Sequence, residues 1–388
     1  MLSRVRTAAL WGLEAFPVEC EVDVGPGLPG FVLVGLPDAS GREARDRVWP
    51  ALRNAGFQLP DRKVTVNLAP AERRKEGSSA DLAVALGVLV ATGQAPPGRL
   101  GDAAALGEIA LDGRLRGVRG TLPLAEALWR TGVTTLLCAG DSAPEAALVE
   151  GLTVHAVATL HEAVGWLRGE ELPRQRAAPP DPETGVALDL AEVRGQATAR
   201  RALEIAAAGG HHLLLVGPPG AGKSMLARRL PGILPPLEPD EALVVTRLHS
   251  AAGLRRPGRG LMTRRPFRAP HHSVTVPGLV GGGSPPHPGE VSLAHHGVLF
   301  LDELPEFRRS VLETLRQPME EGRVTISRAA GTFTFPAEFM LVAAMNPTPD
   351  GKMPGESRSS PREIQSYLGR ISGPLLDRID LHVEVPPV

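Results

Sequence analysis

The alternation of apolar and polar positions along the chain predicts a mixed α/β protein. From Thr7 to about Gly35, apolar residues alternate with polar ones between glycine and proline breaks, which predicts a β-meander. Beyond it, runs with helical spacing alternate with short apolar runs typical of buried strands. In chain order these predict a helix over 40–55, a strand over 63–68, a helix over 80–89, a hairpin over 105–118 turning at Asp112-Gly113, a helix over 122–129, a strand over 134–138, a helix over 144–149, a strand over 154–157 and a helix over 161–167.

Prolines and charged residues crowd residues 168–185, which offer little that could pack. This composition predicts a surface linker. The predicted division is an α/β domain over 1–167, a linker over 168–188 and a second domain over 189–388. The second domain is expected to open with a helix over 189–208.

A glycine-rich loop follows the apolar run 213–216 and leads into a helix-like segment. It reads Gly217, Pro218, Pro219, Gly220, Ala221, Gly222, Lys223 and Ser224, which is the pattern G-x-x-x-x-G-K-[ST]. Glycines let backbone N–H groups converge on a triphosphate, and the start of a helix adds its positive dipole end. In such a loop Lys223 contacts the β- and γ-phosphates and Ser224 holds Mg²⁺. The sequence therefore predicts ATP and Mg²⁺ as cofactors.

Further side chains complete a predicted hydrolytic site at the ends of apolar strands. Asp302 is expected to hold Mg²⁺ directly or through water, and Glu303 to polarise the attacking water. The amide of Asn346 can hold that water or a γ-phosphate oxygen without adding charge. Arg378 is the candidate that reaches the γ-phosphate of a neighbouring subunit. The associated strands are predicted over 298–301, 340–345 and 381–385.

Composition narrows the class of protein. At 388 residues with 43% hydrophobic content, the chain can build two packed cores. A formal charge of −1 and a pI near 6.9 give no overall attraction to nucleic acid, so any such contact must come from a local patch. Cys20 and Cys138 lie far apart in apolar surroundings and are predicted to be buried thiols. No apolar run approaches a membrane span, so we expect a cytoplasmic protein without membrane contact.

A local basic patch lies between the two halves of the predicted ATP site. After Glu241 no Asp or Glu occurs until Glu290, and glycines and prolines over 277–289 predict loops there. More arginines lie on a hairpin predicted over 322–335. The arginines of the patch and those of the hairpin are two groups of candidate contacts to a DNA backbone: Arg255, Arg256, Arg259, Arg264, Arg265, Arg268, Arg323 and Arg328. An arginine-rich subunit interface or simple solvation is the alternative for the first group.

The motifs together resemble those of the magnesium-chelatase-type AAA+ ATPases and, within these, the bacterial ComM/YifB group. The resemblance is carried by Gly217 to Ser224, 266–273, 298–303, Asn346-Pro347 and 372–380. The first domain is similar to that group's amino-terminal domain and, through it, to Lon-protease and ribosomal-S5 folds. Here the similarity lies in Leu36-Pro37-Asp38 and the segment 75–82, so the resemblance covers almost the whole chain.

The resemblance implies a P-loop AAA+ core of three αβα layers with a helix-2-type insertion and a pre-sensor hairpin. It also implies a ring, expected to be hexameric, with ATP between subunits and Arg378 acting in trans. DNA would thread a channel faced by the basic insertion and the hairpin. The implied role is a DNA helicase that drives branch migration during natural transformation.

In three places the chain departs from the group's pattern. Residues 348–353 stand where the group often has a cysteine cluster, so no zinc site is expected there. The sequence ends at Val388, where the group continues into a helical lid, so the lid is expected to be absent. Ser79 resembles the Lon nucleophile in position, but residues 120–123 offer no lysine as its base. Because a serine without a base is a poor nucleophile, we expect no protease activity.

Adjacent histidines occur as three pairs, His211-His212, His271-His272 and His295-His296. Neighbours on a strand point to opposite faces, so each pair is predicted to be a poor chelate. We expect His271 and His272 to pack or form hydrogen bonds within the basic insertion.

Two other functions remain open on this sequence. The ATPase could remodel a protein complex, as metal-chelatase relatives do. The chain could also be a nucleotide-binding regulatory module without motor activity. The arginine-rich stretch favours DNA over the first of these alternatives.

Overall fold

Two separate clusters of buried apolar residues lie in different parts of the chain. The computed structural model describes residues 2–35, 43–180, 188–284, 286–328 and 331–387. Its first unit comprises Met1–Asp181 and His249–Leu261, and its second unit comprises Pro182–Leu248 and Met262–Val388. Within the described residues, no helix is both long and apolar enough to cross a membrane.

The first unit is built on one large mixed sheet. Its strands are β1 Leu2–Trp11, β2 Glu14–Gly25, β3 Gly30–Val34, β4 Lys63–Ala69, β5 Ala103–Leu106, β8 Thr135–Ala139 and β9 Thr153–Val157, with a separate hairpin of β6 Glu108–Ile109 and β7 Leu115–Arg116. The sheet has the order β3-β4-β2-β1-β5-β8-β9. The helices are α1 Ala44–Asn54, α2 Asp81–Ala91, α3 Thr121–Trp129, α4 Ala143–Ala146 and α5 Leu160–Leu167. The hairpin predicted over 105–118 is confirmed by the pairing of β6 with β7.

The predicted β-meander is wrong at its third strand. β1 and β2 form the antiparallel hairpin that their alternating burial suggests. β3, however, pairs in parallel with β4, and β4 lies between β3 and β2. Local alternation identifies a strand but not its partner, because the partner is chosen by burial of the whole sheet.

Part of the predicted linker belongs to the first unit. The backbone N–H of Gln175 donates to the carbonyl oxygen of Val154 at 2.7 Å, and Arg174 bridges to His155. Leu172 packs against the first core. The segment 168–188 is therefore anchored on β9 at its beginning, and residues 181–187 lie outside the described part. The two-unit division also differs from the predicted domains because His249–Leu261 groups with the first unit.

The second unit is built on a parallel sheet. Its strands are β10 Leu213–Val216, β11 Phe267–Arg268, β14 Val298–Leu301, β17 Met340–Met345 and β18 Leu381–Glu384, with hairpins of β12 Gly281–Gly283 and β13 Pro286–Pro288 and of β15 Arg323–Arg328 and β16 Gly331–Pro336. The sheet has the order β11-β14-β17-β10-β18, and all its pairings are parallel. The carboxyl ends of these strands therefore meet at one edge, where α/β proteins bind ligands.

Helices of the second unit connect these strands. They are α6 Ala197–Gly209, α7 Lys223–Ala227, α8 Pro239–Ala251, α9 Val276–Val280, α10 Glu290–Leu293, α11 Arg309–Glu313, α12 Arg316–Glu321, α13 Pro361–Leu368 and α14 Gly373–Leu376. The last three residues of α8 are counted with the first unit. The α/β class predicted from the sequence is confirmed by both units.

Two predictions for the second unit need correction. The helix predicted over 189–208 is a 3-10 turn at Leu190–Glu192 followed by α6, because Gly195 and Gln196 have left-handed φ values of 69° and 52°. The loops predicted over 277–289 contain most of α9 and the short β12–β13 hairpin. The hairpin predicted over 322–335 is confirmed as β15–β16, although its tip at 329–330 lies outside the described residues.

Candidate active site

The glycine-rich loop leaves the carboxyl end of β10 and enters α7. A side chain on Gly217 would place its Cβ 2.2 Å from the carbonyl oxygen of Val385, so only glycine fits. Gly220 and Gly222 have φ values of 78° and 91°, in the left-handed region that favours glycine. The loop's shape thus depends on glycine for two separate reasons, namely close approach and backbone conformation.

Lys223 points back over this loop. Its Nζ donates to the carbonyl oxygens of Gly217 at 2.6 Å and Pro218 at 2.9 Å, and to Oδ1 of Asn346 at 3.1 Å. Burial lowers the pKa of Lys223, because desolvation disfavours the ammonium. Phosphate oxygens at the same place would favour the charged ammonium and so raise this pKa.

Ser224 and Asp302, which the sequence predicts to hold Mg²⁺, are in direct contact. The Ser224 hydroxyl donates to Oδ2 of Asp302 at 2.6 Å, although the two residues lie on α7 and after β14. Oδ1 of Asp302 accepts from the backbone N–H of Glu303 at 3.0 Å. A hydroxyl and a carboxylate in contact are oxygen donors of the kind Mg²⁺ takes beside phosphates, so the residues present fit this ion.

Glu303 extends from the same strand end, and its side chain is 60% exposed. Its φ is 54°, a left-handed value that is uncommon for residues other than glycine and recurs at functional sites. Oε2 of Glu303 lies 3.4 Å from Nδ1 of His272. A side chain that the sequence did not assign to the site therefore lies beside this carboxylate.

His272 reaches Glu303 because its segment follows β11, which runs parallel to β14. Its ring stacks on His271 with a centroid separation of 4.0 Å and meets the edge of Phe307. The argument that adjacent histidines point to opposite faces fails here, since neither residue lies in a strand. The segment 266–273 is one of the motifs in the sequence, but its residue pattern does not predict the contact of His272 with Glu303.

A structured loop follows Asn346 and covers the phosphate loop. Gly351 packs against Pro219, where an added Cβ would lie 2.8 Å from the proline ring. Asp350 holds the loop together. Its carboxylate accepts from the backbone N–H of Arg358 at 2.9 Å, from the hydroxyls of Thr348 at 2.7 Å and Ser357 at 2.8 Å, and from the backbone N–H of Lys352 at 3.4 Å. These hydrogen bonds hold the pKa of Asp350 well below its usual range.

Gln196 is a second residue that sequence reasoning missed. Its side-chain amide donates to the carbonyl oxygens of Ala221 at 3.2 Å and Pro386 at 2.7 Å, joining the phosphate loop to the end of β18. An isolated glutamine carries no sequence signal for such a role.

Arg378 lies just after α14. Among the described residues, its polar contacts do not include the other predicted catalytic side chains. Within the described residues its polar partners are the carbonyl oxygen of Pro374 and the carboxylate of Glu320. Its predicted action on a neighbouring subunit stays a prediction. Lys223 thus contacts Asn346, Ser224 contacts Asp302, and Glu303 follows Asp302 in the chain.

The predicted DNA-contacting arginines fall into different surroundings. Arg265 donates to the carbonyl oxygens of Pro235 and His296, both at 2.8 Å, and pairs with Glu241 at 3.0 Å. Arg268 forms two hydrogen bonds to Glu290, at 2.6 and 2.8 Å. Both arginines therefore bind partners within the chain, an arrangement that the sequence did not predict, and their contact with DNA stays a prediction.

The other arginines differ in exposure. Arg255, Arg259 and Arg264 are half-buried like Arg265 and Arg268, whereas Arg256 is exposed. On the β15–β16 hairpin, Arg323 and Arg328 are exposed, while Val324, Ile326, Phe333 and Phe335 are buried.

One histidine pair comes close to a metal-ligand arrangement. His295, His296 and Glu338 offer ligand atoms within 4.8 Å of one another, and the two rings stack at 3.8 Å. However, Nδ1 of His295 already accepts the backbone N–H of Glu338 at 3.0 Å. The remaining nitrogen of a neutral ring is then protonated and cannot bind a metal. Burial lowers the pKa of His295 to about 4, which fits this neutral, internally bonded ring.

Ser79 is buried, and its hydroxyl donates to the carbonyl oxygen of Ala8 at 2.9 Å. Lys75 lines the same small cavity and donates to the carbonyl oxygens of Gly35 and Pro70. The cavity has a volume of about 20 Å³, which is room for a single water and not for a peptide. This geometry agrees with the structural role expected for Ser79.

Known protein families match both parts of the chain. A family model described as magnesium chelatase, subunit ChlI, matches residues 189–388, and one described as subunit ChlI of Mg-chelatase matches residues 20–142. The competence protein ComM of Haemophilus influenzae is 47% identical over 391 residues, which cover 99% of this chain and 76% of that relative. The uncharacterized protein YifB of Escherichia coli is 45% identical over 390 residues, with the same coverage of 99% and 76%.

A weaker similarity extends to a plant protein. The probable DNA helicase MCM9 of Arabidopsis thaliana is 26% identical over 174 residues, covering 45% of this chain and 22% of that relative.

Proposed function

This chain belongs to the ComM/YifB family of magnesium-chelatase-type AAA+ ATPases, and on that premise we propose that it is a DNA-directed motor. The family membership implies an ATPase that uses nucleotide and Mg²⁺. The finer proposal is a DNA helicase that promotes branch migration during recombination, as expected of a relative of a competence protein. We also propose that it works as a ring of identical subunits in the cytoplasm.

The chemistry follows from the contacts at the strand ends. Lys223 would exchange its carbonyl partners for β- and γ-phosphate oxygens, while Ser224 and Asp302 would hold Mg²⁺. When bound, that ion neutralises charge on the phosphates. Glu303 would accept a proton from the attacking water. The water oxygen would bond to the γ-phosphorus while the bond between the γ-phosphorus and ADP breaks. Asn346 would hold a γ-phosphate oxygen.

The observation that carries the DNA proposal is the β15–β16 hairpin. It presents Arg323 and Arg328 to solvent, and only residues 337–339 separate it from β17. β17 ends at Met345, directly before Asn346, whose Oδ1 accepts from Nζ of Lys223 at 3.1 Å. A strand of DNA on the hairpin would thus be connected to the phosphate loop through one continuous buried strand. Guanidinium groups suit phosphate by charge and by paired hydrogen bonds.

The test is ATP turnover with and without DNA. We expect single-stranded or forked DNA to raise the turnover severalfold, and the double substitution R323Q/R328Q to remove most of this increase while the DNA-independent rate stays the same. R201Q/R362Q, which removes two exposed arginines from α6 and α13, is the matched control.

If DNA leaves turnover unchanged across low and moderate salt, the motor proposal fails and remodelling of a protein complex becomes the better interpretation. Loss of stimulation in the control variant as well would show that overall charge, and not the hairpin, is responsible.

A further inference from the structure

A polar cleft of about 430 Å³ opens in the first unit. One wall is the loop that precedes α3, and the other is the segment 250–257, which this structure groups with the first unit. The charged groups that line it are Arg116, Arg119, Asp141, Glu145, Arg255 and Arg256. None of these belongs to the ATP site described above.

The floor of the cleft is held by hydrogen bonds between the two walls. The backbone N–H of Gly120 donates to the carbonyl oxygen of Ser250 at 3.0 Å, and the Ser250 hydroxyl bonds to Glu145. Glu145 also accepts the backbone N–H of Leu122 at 2.8 Å, at the start of α3. Ser142 links to the same loop, because it accepts from the N–H of Val118 at 3.1 Å. The cleft is therefore a built feature and not a gap between loose loops.

Charge in the cleft is dominated by arginine. Four guanidinium groups line the cleft beside two carboxylates, and the carboxylate of Glu145 already accepts from the Ser250 hydroxyl and from the backbone N–H of Leu122. The side chain of Arg116 is 68% exposed, that of Arg119 is 42% exposed, and Arg256 is exposed. Arg119 pairs with Glu76 at 2.9 Å, and Arg116 lies 3.8 Å from Glu108. The rim thus presents accessible cationic groups above a floor of hydroxyls.

We propose that this cleft binds the phosphodiester backbone of a single DNA strand. The inference rests on the proposed function and adds to it a contact site in the first unit, which that function did not assign. Guanidinium groups on both walls match phosphates of one backbone. A volume in the range of small-ligand pockets admits a strand segment but not a duplex.

The experiment measures the affinity of the whole chain for fluorescein-labelled oligothymidylate over a series of salt concentrations. R116Q/R256Q removes one cation from each wall, and R45Q/R62Q removes two exposed arginines from elsewhere in the first unit. We expect the first variant to bind at least tenfold more weakly at low salt. The slope of log K against log salt should become shallower by about 1.4, because each lost single-strand phosphate contact removes ~0.7. DNA-independent ATP turnover should stay unchanged.

A charge-preserving variant, R116K/R256K, should retain most of the slope of log K against log salt. This result would show that weaker binding by R116Q/R256Q does not come from misfolding. If R116Q/R256Q binds like R45Q/R62Q while DNA still stimulates ATP turnover, the cleft proposal is wrong and the proposed function stands. If the oligonucleotide binds through the cleft but never stimulates turnover, the motor proposal fails and the cleft proposal stands. Equal competition by a duplex or by polyglutamate would overturn the single-strand assignment.

Discussion

The contact of His272 with Glu303 is the residue-scale feature that most affects the proposed hydrolysis. A carboxylate that polarises water must be held in place, and misplacement by about 1 Å can cost a hundredfold in rate. We expect His272→Ala to lower ATP turnover by roughly tenfold to a hundredfold with little change in the Kd for ATP. His272→Asn, whose amide can donate near the position of Nδ1, should retain more of the rate.

The control for this substitution is His382→Ala, which changes an exposed histidine on β18. Equal turnover in both variants, measured at saturating ATP over a range of pH, would mean that His272 only packs against its neighbours.

Glu303 and Lys223 should fail in different ways when they are changed. Glu303→Gln keeps the size of the side chain but removes the base, so we expect retained ATP binding and a turnover at least about a hundredfold lower. Lys223→Ala removes the ammonium that faces the phosphates, so we expect loss of nucleotide binding itself. Fluorescent-nucleotide binding and phosphate release separate the two effects. Parental turnover in Glu303→Gln would show that another group activates the water.

At the scale of elements, the loop after β17 depends on one carboxylate. Asp350→Ala removes the acceptor of four hydrogen bonds and frees the loop that packs Gly351 on Pro219. We expect about tenfold weaker ATP binding, comparable to about one lost hydrogen bond to a charged group. Glu356→Ala, in the same loop but exposed, is the control. Similar nucleotide affinity in the two variants would show that the loop does not support the phosphate site.

The sign of the pH dependence follows from the same carboxylate. The pKa of Asp350 is lower in the folded chain than its ordinary value of about 3.9. Its contribution to loop stability is therefore fully present above that ordinary value and is lost only as the pH falls through the lower folded value. We expect the contribution of Asp350 to ATP affinity to stay constant between about pH 5 and pH 9, which ATP-binding measurements on the parent and on Asp350→Asn over that range can check.

At the scale of the whole molecule, Arg378 is predicted to reach the ATP site of a neighbouring copy. Within one chain it binds Pro374 and Glu320 and does not touch the phosphate loop through its polar contacts. We expect Arg378→Ala to bind ATP normally but to turn it over about a thousandfold more slowly, the scale of an arginine finger. Arg362→Ala, an exposed arginine of α13, should be neutral.

Mixing variants tests the sharing directly. Arg378→Ala lacks the guanidinium but keeps an intact phosphate loop, whereas Lys223→Ala has a defective phosphate loop but keeps the guanidinium. An equimolar mixture should therefore regain part of the parental turnover, because some interfaces combine two intact halves. No recovery in mixed assemblies, or a chain that stays monomeric with saturating nucleotide in sedimentation experiments, would argue against a shared site.

Features that neighbouring residues encode can be predicted from the sequence. They include the phosphate loop, the strand that precedes Asp302 and the β15–β16 hairpin, because glycine spacing and alternating apolar positions act over a few residues. The folded chain adds the contact of His272 with Glu303, the contact of Asn346 with Lys223 and the pairing of β3 with β4. It also committed Arg265 and Arg268 to internal partners. These contacts join positions far apart in the chain, and the packing of a whole sheet selects them where no local pattern can.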